Sequence, residues 1–207
     1  MKVLMVNGSP HEHGCTDRAL QEVAGALEAE GVQTEIFWIG PRPVGGCTAC
    51  GACGKLGRCA FGDGGVNEFA AKAADADGFV FGAPTHYAHA GASLLGFMDR
   101  LFYSAGAAFA HKPAAAVTSA RRAGTTTALA DIEKFFTISQ MPIVSSRYWN
   151  MVHGNSAEEA SQDAEGLWTM RQLGRNMAWL LRCIEAGREA GVPAPAGEPG
   201  VRTNFIR

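Results

Sequence analysis

Four of the six cysteines lie between residues 47 and 59, with the spacing C-x2-C-x2-C-x5-C. Thiols this close together in a reducing compartment are typical of metal binding or redox chemistry, and the run is close to those that ligate iron–sulfur clusters. Zinc also accepts four thiolates, but it usually takes them from two separated C-x2-C pairs. Three alternatives therefore remain: a four-iron, four-sulfur (4Fe–4S) cluster, reduced thiols without metal, or zinc. The candidate metal ligands are Cys47, Cys50, Cys53 and Cys59.

A second candidate site is the stretch Gly8 to Thr16, which lies between the apolar run Val3 to Val6 and a helical pattern that begins near Asp17. A strand that passes through a glycine-bounded loop into a helix leaves backbone N–H groups free for an anion. No Lys follows the second Gly and no G-x-G-x-x-G is present, so neither a triphosphate loop nor a dinucleotide loop is indicated. The stretch predicts either a cradle for a smaller phosphate or an ordinary strand-to-helix turn.

The composition limits the class of protein that carries these sites. A chain of 207 residues with 47% hydrophobic residues predicts one domain with a full core, over residues 1–190, and a Pro- and Gly-rich tail over 191–207. The net charge of -2 and the lack of a basic run argue against nucleic acid. The short N-terminal apolar run predicts neither export nor a membrane span, so we expect a cytoplasmic protein.

Strands alternate with helices along the chain, which predicts a doubly wound α/β fold with a parallel sheet. Five strands are expected near residues 3–6, 34–39, 78–82, 114–118 and 141–144, and the irregular Cys-rich loop spans residues 40–66. Ligands of such sheets bind beyond the carboxyl ends of the strands. Four loops leave those ends: Gly8 to Thr16, Pro84 to Tyr87, Ser119 to Gly124, and Ser145 to Trp149.

These loops resemble a known family. Gly8-Ser9-Pro10 with Gly14-Cys15-Thr16 and Leu20 is similar to the G-S-P…G-N/S-T…L phosphate loop of the flavodoxin-like, NADPH-dependent FMN reductases. The likeness continues through residues 84–87 and 97–100, and the cysteine motif resembles that of the iron–sulfur flavoproteins, a branch of this family. Two features depart from the pattern: Cys15 replaces the usual Asn or Ser, and the usual Lys before Phe97 is missing.

The resemblance implies a flavodoxin-like three-layer sandwich with a five-stranded parallel sheet of order 2-1-3-4-5. It also implies FMN as cofactor, NAD(P)H as co-substrate, a small electron acceptor as partner and a homodimer. We nominate no catalytic residue, because the flavin itself carries hydride chemistry. The residues implied to bind FMN are Ser9, Pro10, His11, Gly14, Cys15, Thr16, Pro84, Thr85, His86, Tyr87, Ser119, Arg121, Arg122 and Gly124.

Two alternatives to an enzyme stay open. The first is a non-enzymatic electron carrier that shuttles between proteins, although such carriers often have a strongly one-signed surface and this chain is nearly neutral. The second is a cluster-bearing regulator that senses oxidant.

Overall fold

The computed structural model describes residues 1–197, 200, 201 and 203. The strands are β1 (Lys2–Asn7), β2 (Gln33–Trp38), β3 (Gly78–His86), β4 (His89–Ala90), β5 (Ala114–Ala120) and β6 (Met151–His153). They form a central sheet of order β2-β1-β3-β5-β6, with every neighbouring pair parallel, and the short β4 pairs antiparallel with β3. The helices are α1 (Cys15–Ala29), α2 (Cys53–Leu56), α3 (Val66–Ala73), α4 (Ala92–Ala105), α5 (Thr125–Ile138), α6 (Ala157–Ala160) and α7 (Ala164–Glu189).

Helices cover both faces of the sheet, because the side chains of each strand alternate between two cores. In β1, Val3 and Met5 pack with α1 and α7, whereas Leu4 and Val6 pack with α3, α4 and α5. The second core is rich in phenylalanine; the ring of Phe69 lies 5.5 Å from that of Phe97 between centroids. This three-layer arrangement fixes the carboxyl ends of the parallel strands at one edge of the molecule.

The fifth parallel strand differs from the prediction. Met141 to Val144 makes only an isolated bridge between Ile143 and Ala114, and β6 takes the edge position instead. The apolar character of this segment has another reason: Met141 packs into one core and Val144 into the other. Such packing does not require pairing as a strand. The predicted order 2-1-3-4-5 still describes the five parallel strands when they are counted along the chain, with the antiparallel β4 as an addition.

Two other elements differ at their bounds. The third strand continues beyond Gly82 to His86, so most of the expected Pro84 to Tyr87 loop is strand. In the sequence, Ser156 and Glu159 form an S-x-x-E capping box ahead of the apolar period of a long last helix. In the structure this box caps the short α6, and α7 has its own N-cap, the side chain of Asp163.

Helix α7 ends at Glu189. The division into a domain over residues 1–190 and a tail over 191–207 stays a prediction. Part of that tail, residues 198, 199, 202 and 204–207, lies outside the described residues. Among the described helices, none combines the length and the apolar character needed to cross a bilayer.

Candidate functional site

The loop after β1 is held in shape by its own hydrogen bonds. The Oδ1 atom of Asn7 accepts from the Ser9 N–H at 3.0 Å, and its Nδ2 donates to the Glu12 carbonyl at 2.9 Å. The His11 N–H donates to Ser9 Oγ at 3.1 Å, and the indole of Trp38 donates to the Ser9 carbonyl at 2.8 Å. Because Asn7 and Ser9 are buried, the fold fixes this loop without any ligand.

The start of α1 is open to an anion. Its N-cap is Gly14, which has no side chain to accept from the first N–H groups, and the first helical bond runs from Arg18 N–H to the Gly14 carbonyl at 3.0 Å. The N–H groups of the first turn therefore remain available, as at known phosphate sites. A Cβ at Gly14 would lie 3.2 Å from the Cβ of His11, so glycine also keeps the cradle open.

A buried hydroxyl pair joins this loop to the loop after β5. Thr16 Oγ1 and Ser119 Oγ lie 2.9 Å apart, and both residues are almost fully buried. Since each hydroxyl has one donor hydrogen and two acceptor lone pairs, the pair retains capacity for an anion.

The end of β3 contributes an unsatisfied polar atom and an uncommon backbone. Among the described residues, Thr85 Oγ1 is the buried side-chain oxygen that has no hydrogen-bond partner. Tyr87 and Ala88 adopt positive φ angles of 49° and 61° in the turn to β4. Gly124, at φ 91°, lies against this turn, since a Cβ there would be 2.7 Å from the Cα of Ala88. Buried groups without partners and strained turns are common at ligand sites.

These loops surround one cavity of ≈ 430 Å³ at the carboxyl edge of the sheet. The predicted residues that line it are Ser9, His11, Gly14, Cys15, Thr16, Pro84, Thr85, His86, Ser119 and Arg121. The lining does not include Pro10, Tyr87, Arg122 or Gly124; Tyr87 is fully exposed.

Sequence reasoning missed one wall of the cavity, residues 154–158. His13 and Ala120 also line the cavity; they belong to two of the predicted loops but were not among the residues implied to bind FMN. This wall follows β6, so placing the fifth strand too early pointed to Ser145 to Trp149 instead. The S-x-x-E capping box was the available signal, because Ser156 Oγ accepts from the Glu159 N–H at 3.3 Å and α6 starts there.

Cys15 lies between the cradle and this wall. Its thiol donates to the Gly154 carbonyl at 3.4 Å. Burial raises the pKa of the Cys15 thiol, and the carboxylates of Glu159 and Glu158 add to the rise despite a lowering by a backbone hydrogen bond. At neutral pH the group is therefore a neutral thiol, which does not repel an anion.

The four clustered cysteines meet in a second cavity, of ≈ 110 Å³. Cys47, Cys50, Cys53 and Cys59 all line it, with Arg100, Tyr103 and Ser104 of α4 on the opposite wall. All four are free thiols; Cys59 is buried, Cys50 is exposed, and the other two are half-buried. In the described part of the chain, no three His, Cys, Asp or Glu side chains form a group that could hold a metal ion.

Residues 1–156 match the family model described as NADPH-dependent FMN reductase. The chain belongs to this family. It is 30% identical to an iron-sulfur flavoprotein of Methanocaldococcus jannaschii, over 89% of this chain and 100% of the relative. It is 25% identical to an iron-sulfur flavoprotein of Methanosarcina thermophila, over 91% of this chain and 100% of the relative.

Solved structures agree on the fold. RosB, with a bound riboflavin-5′-phosphate intermediate, matches with a TM-score of 0.69 at 16% identity, covering 100% of this chain and 94% of RosB. An NADH:FMN oxidoreductase in its apo form matches with a TM-score of 0.63 at 14% identity, over 86% of this chain and 89% of that one. The family resemblance and the flavodoxin-like fold expected from the sequence are therefore confirmed. Identities this low show the fold alone.

Proposed function

We propose that this reductase-family protein is an FMN-dependent oxidoreductase that oxidises NAD(P)H and reduces a small acceptor: a quinone, a nitro compound, free flavin or a metal ion. The observation that carries the proposal is the cavity in which the α1 cradle, the end of β3 and the loop after β5 converge. Its polar groups fit a flavin mononucleotide. The open N–H groups at Gly14 to Thr16 suit a phosphate, and the Thr85 hydroxyl still needs a partner.

Each wall of the cavity has a proposed role. The hydroxyls of Ser9 and Thr16 and the N–H groups of the cradle bind the phosphate. Pro84 to His86 and Ser119 to Arg121 border the ring system. FMN, when bound, supplies hydride acceptance and electron transfer, while the protein orients it and excludes water. The exposed Arg121 is the cation of the cavity lining and offers its guanidinium to an oxyanion of flavin or substrate.

For the cysteine cavity we propose a 4Fe–4S cluster held by Cys47, Cys50, Cys53 and Cys59. Four thiols facing one cavity are the donor set that such a cluster takes. A cube of four irons holds its thiolates farther apart than a single ion does. The lack of a single-ion group among the described residues therefore does not weigh against the cube.

A cytoplasmic homodimer completes the proposal. Reduced cysteines that serve as metal ligands need a reducing compartment. Tyr148 and Trp149 pack edge to face at 4.9 Å between centroids, yet each is 56% exposed. Exposed aromatic pairs of this kind are enriched at protein interfaces.

A steady-state assay tests the function. Protein loaded with FMN under anaerobic conditions is expected to oxidise NADPH or NADH when a quinone or nitro acceptor is present. Gly14→Val fills the cradle next to His11, so we expect it to lose flavin and activity together. If flavin-loaded protein oxidises neither NADPH nor NADH with any class of acceptor, the proposed enzymatic activity is wrong.

That negative outcome would support the second candidate, an electron carrier between proteins. Two observations favour a carrier: the chain has a second cavity, lined by four cysteines, and two of its relatives are named iron-sulfur flavoproteins. A carrier would show a reducible flavin and cluster in a redox titration but no turnover with nicotinamide nucleotides.

A further inference from the structure

The wall that α4 presents to the cysteine cavity contains a buried positive charge. The side chain of Arg100 is 3% exposed, and its Nε–H donates to Cys59 Sγ at 3.3 Å. Its Nη2 donates to the carbonyls of Phe61 at 2.9 Å and Asp63 at 3.1 Å. The guanidinium is therefore fixed by the backbone that follows Cys59, and its Nε–H is directed at the sulfur.

The charge of Arg100 is only partly balanced. Its ion-pair partner among the described residues is the Asp63 carboxylate at 3.0 Å, and the Asp63 side chain is 67% exposed. A carboxylate in water screens a buried cation weakly, and a buried charge is costly unless it is paired. The side of the guanidinium that faces the cavity is thus suited to a second anion.

Cys59 is the most firmly held of the four thiols. Its N–H donates to Asn67 Oδ1 at 2.9 Å, and Asn67 Nδ2 donates back to the Cys59 carbonyl at 3.0 Å. Asn67 belongs to α3 and Arg100 to α4, so two helices fix this residue. By contrast, Cys50 is exposed on the irregular loop.

We infer that Arg100 is a positioning residue for the proposed cluster: it holds Cys59 and makes the cluster easier to reduce. The inference rests on the proposed function. Reduction adds one electron to the cluster and transfers no atom, so the net charge of the cluster and its thiolates becomes more negative by one. A fixed positive donor at a ligand sulfur stabilises that state more than the oxidised one, which raises the reduction potential.

The test is a dithionite titration, with redox mediators, of the full-length holoprotein, with the cluster followed by electron paramagnetic resonance. Arg100→Gln removes the charge and is expected to weaken the preference for the reduced cluster about tenfold, which for one electron lowers the potential by about 59 mV. Arg100→Lys keeps a charge and should recover part of the shift. Arg182→Gln makes the same charge change on α7, where Arg182 pairs with Glu30, and should leave the potential unchanged.

Asp63→Asn gives a prediction of opposite sign. It removes the screening carboxylate but leaves the carbonyl contacts of Arg100, so the potential should rise. If Arg100→Gln binds no iron, Asp63→Asn decides: a raised potential supports the inference, and an unchanged one overturns it. Equal potentials in wild type and Arg100→Gln overturn the inference while the cluster proposal stands. Wild-type protein that binds no iron overturns both.

Discussion

The cradle cavity and the cysteine cavity differ in how they are built. The cradle before α1 is fixed by buried polar contacts, among them the Thr16–Ser119 hydroxyl pair and the bonds of Asn7. In the cysteine cavity, hydrogen bonds from α3 and α4 hold Cys59, whereas Cys50 lies exposed on an irregular loop. The cradle is thus a preformed site, and we expect the cysteine loop to gain order when the proposed cluster binds.

This difference has a direct consequence for binding. A preformed site binds without an ordering cost, but a loop that must be ordered loses conformational entropy when its ligand binds. FMN binding should therefore survive damage to the cysteine loop.

The largest expected effect is a loss of iron from the cysteine cavity with no loss of FMN from the cradle. Cys50→Ser removes one thiolate of the proposed cluster and should reduce bound iron from about four atoms per chain to near zero. The flavin content should not change. Iron, acid-labile sulfide and FMN are measured on the same sample. Cys183→Ser is the control. It replaces a thiol that is also exposed but lies on α7, and the variant should keep both cofactors. Loss of FMN in Cys50→Ser would show that the cavities are not independent.

Gly96→Ala tests whether the packing of α4 holds the cysteine loop in place. A Cβ at Gly96 would lie 2.5 Å from the Val44 carbonyl oxygen, so the start of the loop must move. We expect a severalfold loss of iron and a decrease of about 1–3 kcal/mol in the free energy of unfolding, as for other overpacked sites.

Gly25→Ala is the matched control for Gly96→Ala. It lies on the exposed side of α1, where no atom of the described residues comes within 4 Å of a new Cβ, and it should stabilise the helix by about 0.5–1 kcal/mol. Urea unfolding measures both variants. Equal iron content in Gly96→Ala and Gly25→Ala would contradict the anchoring of the loop by α4.

Thr16→Val tests the preformed cradle. It removes a hydroxyl that bonds to Ser119 and is available to the phosphate, so we expect about tenfold weaker FMN binding, or roughly 1.4 kcal/mol. Quenching of flavin fluorescence measures the affinity. Thr137→Val is the control, since that exposed hydroxyl donates to the Lys134 carbonyl of its own helix and lies outside the cradle. Unchanged affinity in Thr16→Val would remove Thr16 from the site.

The smallest effect concerns Cys15. Because its pKa is raised, the reactive thiolate forms at a higher pH than for an ordinary thiol, so alkylation by iodoacetamide should be slow at neutral pH and accelerate only in more alkaline buffer. FMN should slow it further, whereas exposed Cys183 should be indifferent to FMN. Peptide mass spectrometry reports both sites. Equal protection of the two cysteines would argue against flavin at the cradle.

Like the parallel sheet, the elements around the cradle could be predicted from sequence. The run Val3 to Val6, the glycine-bounded loop and the period of α1 are local signals, and the structure confirms the elements they predict. β6 escaped prediction because a strand of three residues shows no periodicity. With it the wall at residues 154–158 was missed.

Contacts between individual side chains far apart in the sequence could not be predicted. The pairing of Arg100 with Cys59 joins residues 41 positions apart, through the packing of α4 against an irregular loop. Four cysteines in sequence indicate a metal site, but only the folded chain brings the buried cation to it.

The composition of wild-type protein purified without oxygen tests the proposed flavin and cluster sites most directly. We expect about one FMN, four irons and four acid-labile sulfides per chain, with a flavin absorption band and a broad cluster shoulder. Colourless protein that neither contains FMN nor binds it when it is added would contradict the proposed flavin site.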